Sequence, residues 1–202
     1  GAFQEPMSVI EQEEALKLYD AGADIYLITN FSSPMYVTER MEIERGPEHY
    51  QMSMTELERF RNLEWEMQKY PQIQSLKEAN LLLGTRRIFG IYQIRDDLPG
   101  ENYAFMNMSF IESHGMQIKK EDYKLVYVGE LSGNMSLDDI FEKFNIDRPE
   151  DFRGHSLSVS DIIVLNDGEK VTAHFVDSIS FEQLDSFLNL EEQVLSELAY
   201  EV

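Results

Sequence analysis

Hydrophobic positions change period several times along the chain, and each change marks an element. Ser8 with Glu11 three residues on has the form of a capping box, and Ile10, Leu16 and Leu18 behind it predict a helix that Gly22 ends. Residues 24–29 (DIYLIT), β-branched and aromatic, predict a strand. FSSP at 31–34 is turn chemistry, and the weak alternation of residues 35–43 predicts the returning strand of a hairpin. Gly46-Pro47 then punctuates the chain. Ser53 with Glu56 forms a second box, opening a helix to about Tyr70 through Leu57, Phe60, Leu63 and Met67. Pro71 breaks it, and a further helix runs to Leu83 before Gly84.

Beyond Arg86 strands dominate. Residues 88–94 (IFGIYQI) and 123–128 (YKLVYV) predict strands, separated by a loop over 96–101 and a helix over 105–113 that ends at Gly115. Residues 132–134 form a turn, and Ser136 caps a short helix over 137–144 whose first turn carries Asp138 and Asp139. Residues 162–165 and 171–176 predict strands joined through Asn166-Asp167-Gly168, a strong hairpin signal. A last helix is expected to start near Ser180, with Leu184, Phe187, Leu188, Leu195 and Leu198 as its apolar stripe. That stripe either packs on the core or docks an acidic amphipathic segment on a partner. The order predicts an α+β fold. Residues 1–84 form a helix–hairpin–helix module and residues 85–202 a mixed α+β domain, with the junction near residues 84–87.

The 202 residues are 43% hydrophobic, enough for a real core. No apolar run approaches the roughly 20 residues of a membrane-spanning helix, so no membrane association is expected. The chain has no cysteine, which excludes disulfides and thiolate chemistry and fits a reducing, cytoplasmic setting. It opens on Gly1 rather than methionine, which leaves room for a trimmed targeting segment ahead of it. Three N-x-S matches, at Asn30, Asn107 and Asn134, read as chance. The net charge is −21, and no Lys or Arg follows Lys170. That balance argues against binding a phosphate backbone. Its ordinary meaning is a self-repelling surface; its sharper meanings are a face for a basic partner or a mimic of nucleic acid.

Candidate chemistry gathers between Asn145 and Ser178. His155, Ser156, Ser158, Ser160 and Asp161 cluster ahead of a strand and invite a Ser–His–Asp hydrolase reading, but no G-x-S-x-G elbow accompanies them. The plainer reading is a loop whose Ser and Asp side chains satisfy backbone donors. Arg148 and Arg153 either pair with Asp147, Glu150 or Asp151 or receive an anion, and pairing is the commoner fate of arginines among acids. His155 and His174 could meet Asp161 or Asp177 in a metal site, but they lack ligand spacing. Gly84, Gly90 and Gly100 are isolated, so no phosphate cradle is present. No cofactor, metal or catalytic residue is assigned.

FGIYQI at 89–94, YKLVYVGEL at 123–131, LDDIFEKFN at 137–145, PEDFRGHSLSVSDIIVL at 149–165 and AHFVDSISF at 173–181 together resemble the YodL-like domain of bacterial proteins, over residues 88–188. YDAGADIYLITN, at 19–30, is similar to small modules that accompany large polyvalent mobile-element proteins. There the following turn is usually acidic; here it is Phe31-Ser32-Ser33-Pro34. The resemblance implies multi-module proteins of conjugative elements and phages, and it supplies no catalytic residues. The expected function is therefore non-enzymatic: a protein-interaction module whose partner is a protein, basic if the negative surface is its contact. The alternatives are an acidic nucleic-acid mimic and a hydrolase built on residues 155–161. The expected functional surface is Arg148, Asp151, Arg153, His155, Ser156, Ser158, Ser160, Asp161, His174 and Asp177.

Overall fold

Residues 5–30 and 33–190 are described here from a computed structural model. They fall into two units that part between Leu83 and Gly84. Each carries its own sheet, and all strand pairs are antiparallel.

In the first unit, β1 (Met7–Glu11) pairs along its whole length with β4 (His49–Ser53), Ile10 opposite Tyr50. The sheet order is β1-β4-β2-β3, where β2 is Tyr26–Leu27 and β3 is Met35–Tyr36. Around it lie α1 (Gln12–Asp20), α2 (Arg40–Glu44), α3 (Met54–Met67) and α4 (Leu76–Leu83). Ala15 and Leu18 of α1, Ile43 of α2, and Leu57, Phe60 and Leu63 of α3 close the core against Tyr50 and Met52. Ser53 caps α3 as the sequence predicts, accepting a hydrogen bond from Glu56 N at 3.2 Å. Gly22, at φ +97°, ends α1 in the left-handed conformation that favours glycine.

The helix–hairpin–helix expectation is corrected in three places. Ser8 does not cap a helix: it lies in β1 opposite Met52, and α1 starts only after Glu11, which makes no side-chain cap. Residues 35–43 are not one strand, since only Met35 and Tyr36 pair with β2. Glu39 and Glu42 then build a capping box that turns the chain into α2. The strand β4 carried no strong local signal. Its alternation of buried Tyr50 and Met52 spans only five residues, and it is fixed by partners about forty residues upstream.

In the second unit the sheet order is β6-β5-β7-β8-β9. The strands are β5 (Arg87–Ile94), β6 (Tyr123–Glu130), β7 (Ile162–Asp167), β8 (Val171–Val176) and β9 (Phe181–Gln183). Between β5 and β6 lies α5 (Met108–Ser113), and between β6 and β7 lies α6 (Leu137–Ile146). β5 and β7 are interior strands buried almost throughout, so they read as near-continuous apolar runs, interrupted in β5 by Gln93. Phe89 and Ile91 on β5, Ile163 on β7, Ile140 and Phe144 on α6, and Phe152 and Leu157 from the loop after it share one core. Its rings meet edge to face, Phe144 with Tyr127 at 4.9 Å and with Phe152 at 5.0 Å. Elsewhere in this unit Phe187 packs on Tyr92 and Tyr123 at 5.1 and 5.5 Å.

Ser136 and Asp139 make the reciprocal box that opens α6. Asn166, Asp167 and Gly168 form the predicted hairpin connection, with Gly168 N bonded to Asn166 Oδ1 at 2.9 Å. Two expectations are corrected here. The helix over 105–113 starts only at Met108, because Phe105 sits at φ +63° and Asn107 is the cap, accepting from Phe110 N at 2.8 Å. The helix near Ser180 is replaced by β9, with Phe181 paired to Val176, and a 3₁₀ turn at Asp185–Leu188. Leu195 and Leu198 of the expected stripe lie outside the described residues. Among the described residues no helix is long and apolar enough to cross a membrane.

Candidate functional site

Strand alternation is the first cause of the site. It sends Gln93 of β5 to the same face as Phe89 and Ile91, and Asp161, just before β7, to the same face as Ile163. Both polar residues are thereby carried to the edge of an apolar core, each about 1% exposed. Burial of this kind requires hydrogen-bond partners, and the two supply them to each other and to the loop from Pro149 to Ser160. Gln93 Nε2 donates to Asp161 Oδ2 at 3.1 Å and to His155 O at 2.8 Å, while Gln93 Oε1 accepts from His155 N at 3.1 Å. Asp161 Oδ2 also accepts from Ser158 N at 2.8 Å.

The loop is closed by further bonds of the same sort. Ser158 Oγ donates to Ser156 O at 2.7 Å, Asn145 Nδ2 to Leu157 O at 3.1 Å, and Tyr123 Oη to Ser160 O at 2.7 Å. Gly154 is placed so that a Cβ there would collide with Gln93 Oε1 and the Phe152 ring, so the strand and the loop approach each other too closely for any side chain. Ser160 is 2% exposed and sits at φ +80°, a strained conformation for a residue with a Cβ. Its Oγ accepts from the backbone N of Phe105 at 2.8 Å. The two non-glycine residues with positive φ among those described are therefore joined to each other, and strain of this kind concentrates at functional sites.

Beside them opens a cleft of about 120 Å³, lined by residues 94–96, 102, 104 and 105 on one side and His155, Ser160 and Asp161 on the other. The Phe105 ring lies 5.1 Å from that of His155 and is 60% exposed. His155 Nε2 is 3.9 Å from Asp161 Oδ1. Burial pushes the Asp161 carboxyl up to about 7, opposed by the Ser158 N–H, the His155 ring and the Gln93 amide. The remaining charges at the rim are paired: Arg95 with Asp97 at 2.8 Å, and Asp96 with Lys124 at 2.8 Å. The bond to Lys124 holds the Asp96 carboxyl below the usual range.

Three of the predicted residues, His155, Ser160 and Asp161, line this cleft. Ser156 and Ser158 stand behind it, tying the loop together. Arg153 donates to Glu150 O at 2.7 Å, and Arg148 and Asp151 are exposed outside the cleft lining. His174 is half-buried on β8, with Nε2 2.8 Å from Thr172 Oγ1 and its pKa pushed down by burial. Asp177 holds the turn after β8 and accepts from Met108 N at 3.2 Å. Neither lines the cleft. Gln93, Tyr123 and Phe105 were not foreseen. A lone polar residue in the apolar run IFGIYQI was a usable signal for Gln93, whereas nothing local marks Phe105.

Among the described residues no hydrogen bond joins a serine hydroxyl of the 155–161 cluster to a histidine ring. Nor does any group of three or more His, Asp or Glu form a set that could hold a metal. Residues 88–187 match the family model of the YodL-like domain. The match spans β5 to the turn that carries Phe187, and so contains every residue of the cleft. No curated protein and no solved structure matches the chain.

Proposed function

We propose that the YodL-like unit is a non-enzymatic protein-interaction module and that the rim of the cleft is its recognition surface. One observation carries the reading. Phe105, a large apolar ring, is held out in solvent on a strained backbone by a hydrogen bond to the buried Ser160 hydroxyl. An exposed aromatic fixed in place loses little entropy on binding, and such residues dominate the energetics of interfaces. The hydroxyls of Ser158 and Ser160 are engaged with backbone groups, which favours a scaffold over a nucleophile. Carrying over the family resemblance, we place the module in a bacterial mobile-element protein, and the absence of cysteine fits the cytoplasm.

The test is site-specific photo-crosslinking in cells that encode the protein, with a photoreactive phenylalanine at position 105. Position 179 is the control, since Ile179 is almost fully exposed and lies outside the cleft. A discrete protein adduct from 105 alone is expected. Equal labelling from both positions rejects the surface. Ester or peptide hydrolysis that disappears in Ser158→Ala or Ser160→Ala favours the hydrolase instead.

A further inference from the structure

Two acceptor atoms of the cleft residues Asp161 and His155 have no hydrogen-bond partner among the described residues. The first is Asp161 Oδ1. Its twin Oδ2 takes both donors, Ser158 N and Gln93 Nε2, while Oδ1 accepts none from a described residue although the side chain is only 2% exposed. The second is His155 Nε2. Both amide hydrogens of Gln93 are used on His155 O and Asp161 Oδ2, so His155 Nδ1 is left to donate to Ser156 O at 2.8 Å. In the neutral ring that tautomer puts the lone pair on Nε2.

The 3.9 Å between these acceptors selects the group that can use both. A nitrogen about 2.9 Å from each closes a triangle with an apex of about 85°, within reach of two N–H bonds of one tetrahedral centre. A guanidinium fits less well, because its fork seeks two parallel acceptors on one carboxylate. Here one carboxylate oxygen is already occupied by the loop. The Phe105 ring lines the cleft 5.1 Å from the His155 ring, and an aromatic ring this near attracts a cation; the net charge of −21 draws basic partners. Two donors alone fall short of a metal-ligand set.

We propose that the cleft binds the ammonium group of a lysine side chain from a protein partner, held between Asp161 Oδ1 and His155 Nε2 beside the Phe105 ring. This rests on reading the unit as an interaction module and names what that module recognises.

The test titrates the ¹⁵N-labelled full chain at about pH 8, where the Asp161 carboxyl is ionised, with n-butylammonium, n-butylguanidinium and 1-butanol, followed by NMR. Saturable shifts at Phe105, His155, Ser160 and Asp161, including the His155 ring nitrogens, are expected with butylammonium. They should be weaker with butylguanidinium and missing with butanol. Asp161→Asn keeps an acceptor for Ser158 N but loses the charge, and should weaken binding about tenfold or more. Asp161 also holds its loop, so Phe105→Ala, which alters an exposed ring, gives the second readout: binding severalfold weaker with the loop signals unmoved. Shifts equally strong with butanol or butylguanidinium, shifts scattered over the acidic surface, or shifts that survive both substitutions overturn the proposal. A protein adduct at position 105 without any cleft response to butylammonium rejects the lysine ligand and keeps the interaction module. Loss of both rejects the module.

Discussion

Gln93 and Asp161 show how one buried polar pair can fix a dozen residues of loop. Replacing Gln93 by Leu keeps the volume but strips His155 N and His155 O of their partner and leaves Asp161 Oδ2 with Ser158 N alone. Stability should fall by about 2–4 kcal/mol, with faster amide exchange confined to residues 154–161. An unchanged denaturation midpoint would show that water replaces the amide. Asp161 makes a separate prediction about pH. Its pKa is raised by burial, from 3.8 to about 7, so the folded state holds a proton that the unfolded state has released. The stability it contributes is present below pH 4 and is lost as the pH climbs from about 4 to about 7. Measured as wild type minus Asp161→Asn, unfolding free energy should decline across that window by at most about 4 kcal/mol. A flat difference would mean that the carboxyl is ionised throughout. The cluster at 155–161 was legible as a polar loop before a core strand, because Ser and Asp beside the apolar run IIVL have few other uses. The cleft was not legible. Its other wall comes from residues 94–105, at least fifty positions away, and Phe105 acquires its exposure from a hydrogen bond that no local pattern announces.

Elements whose cause is local were the readable ones. Ser53 and Ser136 each sit three residues ahead of an acid and cap their helices, and the Asn-Asp-Gly connection makes its hairpin. Elements whose cause is a distant strand were misread. Ser8 and Glu11 have the form of a cap, yet pairing with β4 claims them for β1. Residues 181–183 could have begun a helix, but pairing with β8 makes them β9. The local cause can be measured at α6. Ser136→Ala removes the acceptor of Asp139 N at 3.2 Å and should cost about 1 kcal/mol. The loss should fall on the unfolding of the YodL-like unit without altering the shifts of the cleft residues. Gly154→Ala should do the opposite. It forces a methyl against Gln93 and Phe152, and should displace the His155 backbone even where the remaining sheet is unperturbed. Chemical shifts of Gln93, His155 and Asp161 that match wild type in this variant would show that the approach of strand and loop is looser than drawn.

Among the described residues, the core of the first unit and that of the second share no member: Leu18, Tyr50, Met52 and Phe60 belong to one, and Phe89, Ile91, Phe144 and Ile163 to the other. From this we infer that each unit is a folding domain in its own right. A core closed within its own segment satisfies the usual condition for independent folding. Among the described residues, the loop that builds the cleft bonds beyond itself to Gln93, Asn145, Phe105, Tyr123 and Val176, all within residues 84–192. Expressed alone, that segment should unfold in one cooperative step and keep the amide shifts of Phe105, His155 and Asp161. Charge sets the conditions of the test. A strongly acidic chain repels itself, and that repulsion is long-ranged at low ionic strength, where the screening length is about 30 Å at 0.01 M against about 8 Å at 0.15 M. Salt should therefore raise the unfolding midpoint of the full chain, and should raise that of the excised segment as well. The Gln93–His155–Asp161 bonds are short and mostly buried, so the cleft shifts should stay constant over the same salt range. A segment that is molten at 0.15 M salt would defeat the two-domain inference. Cleft shifts that move with salt would mean that surface charge, rather than the buried pair, sets the position of the loop.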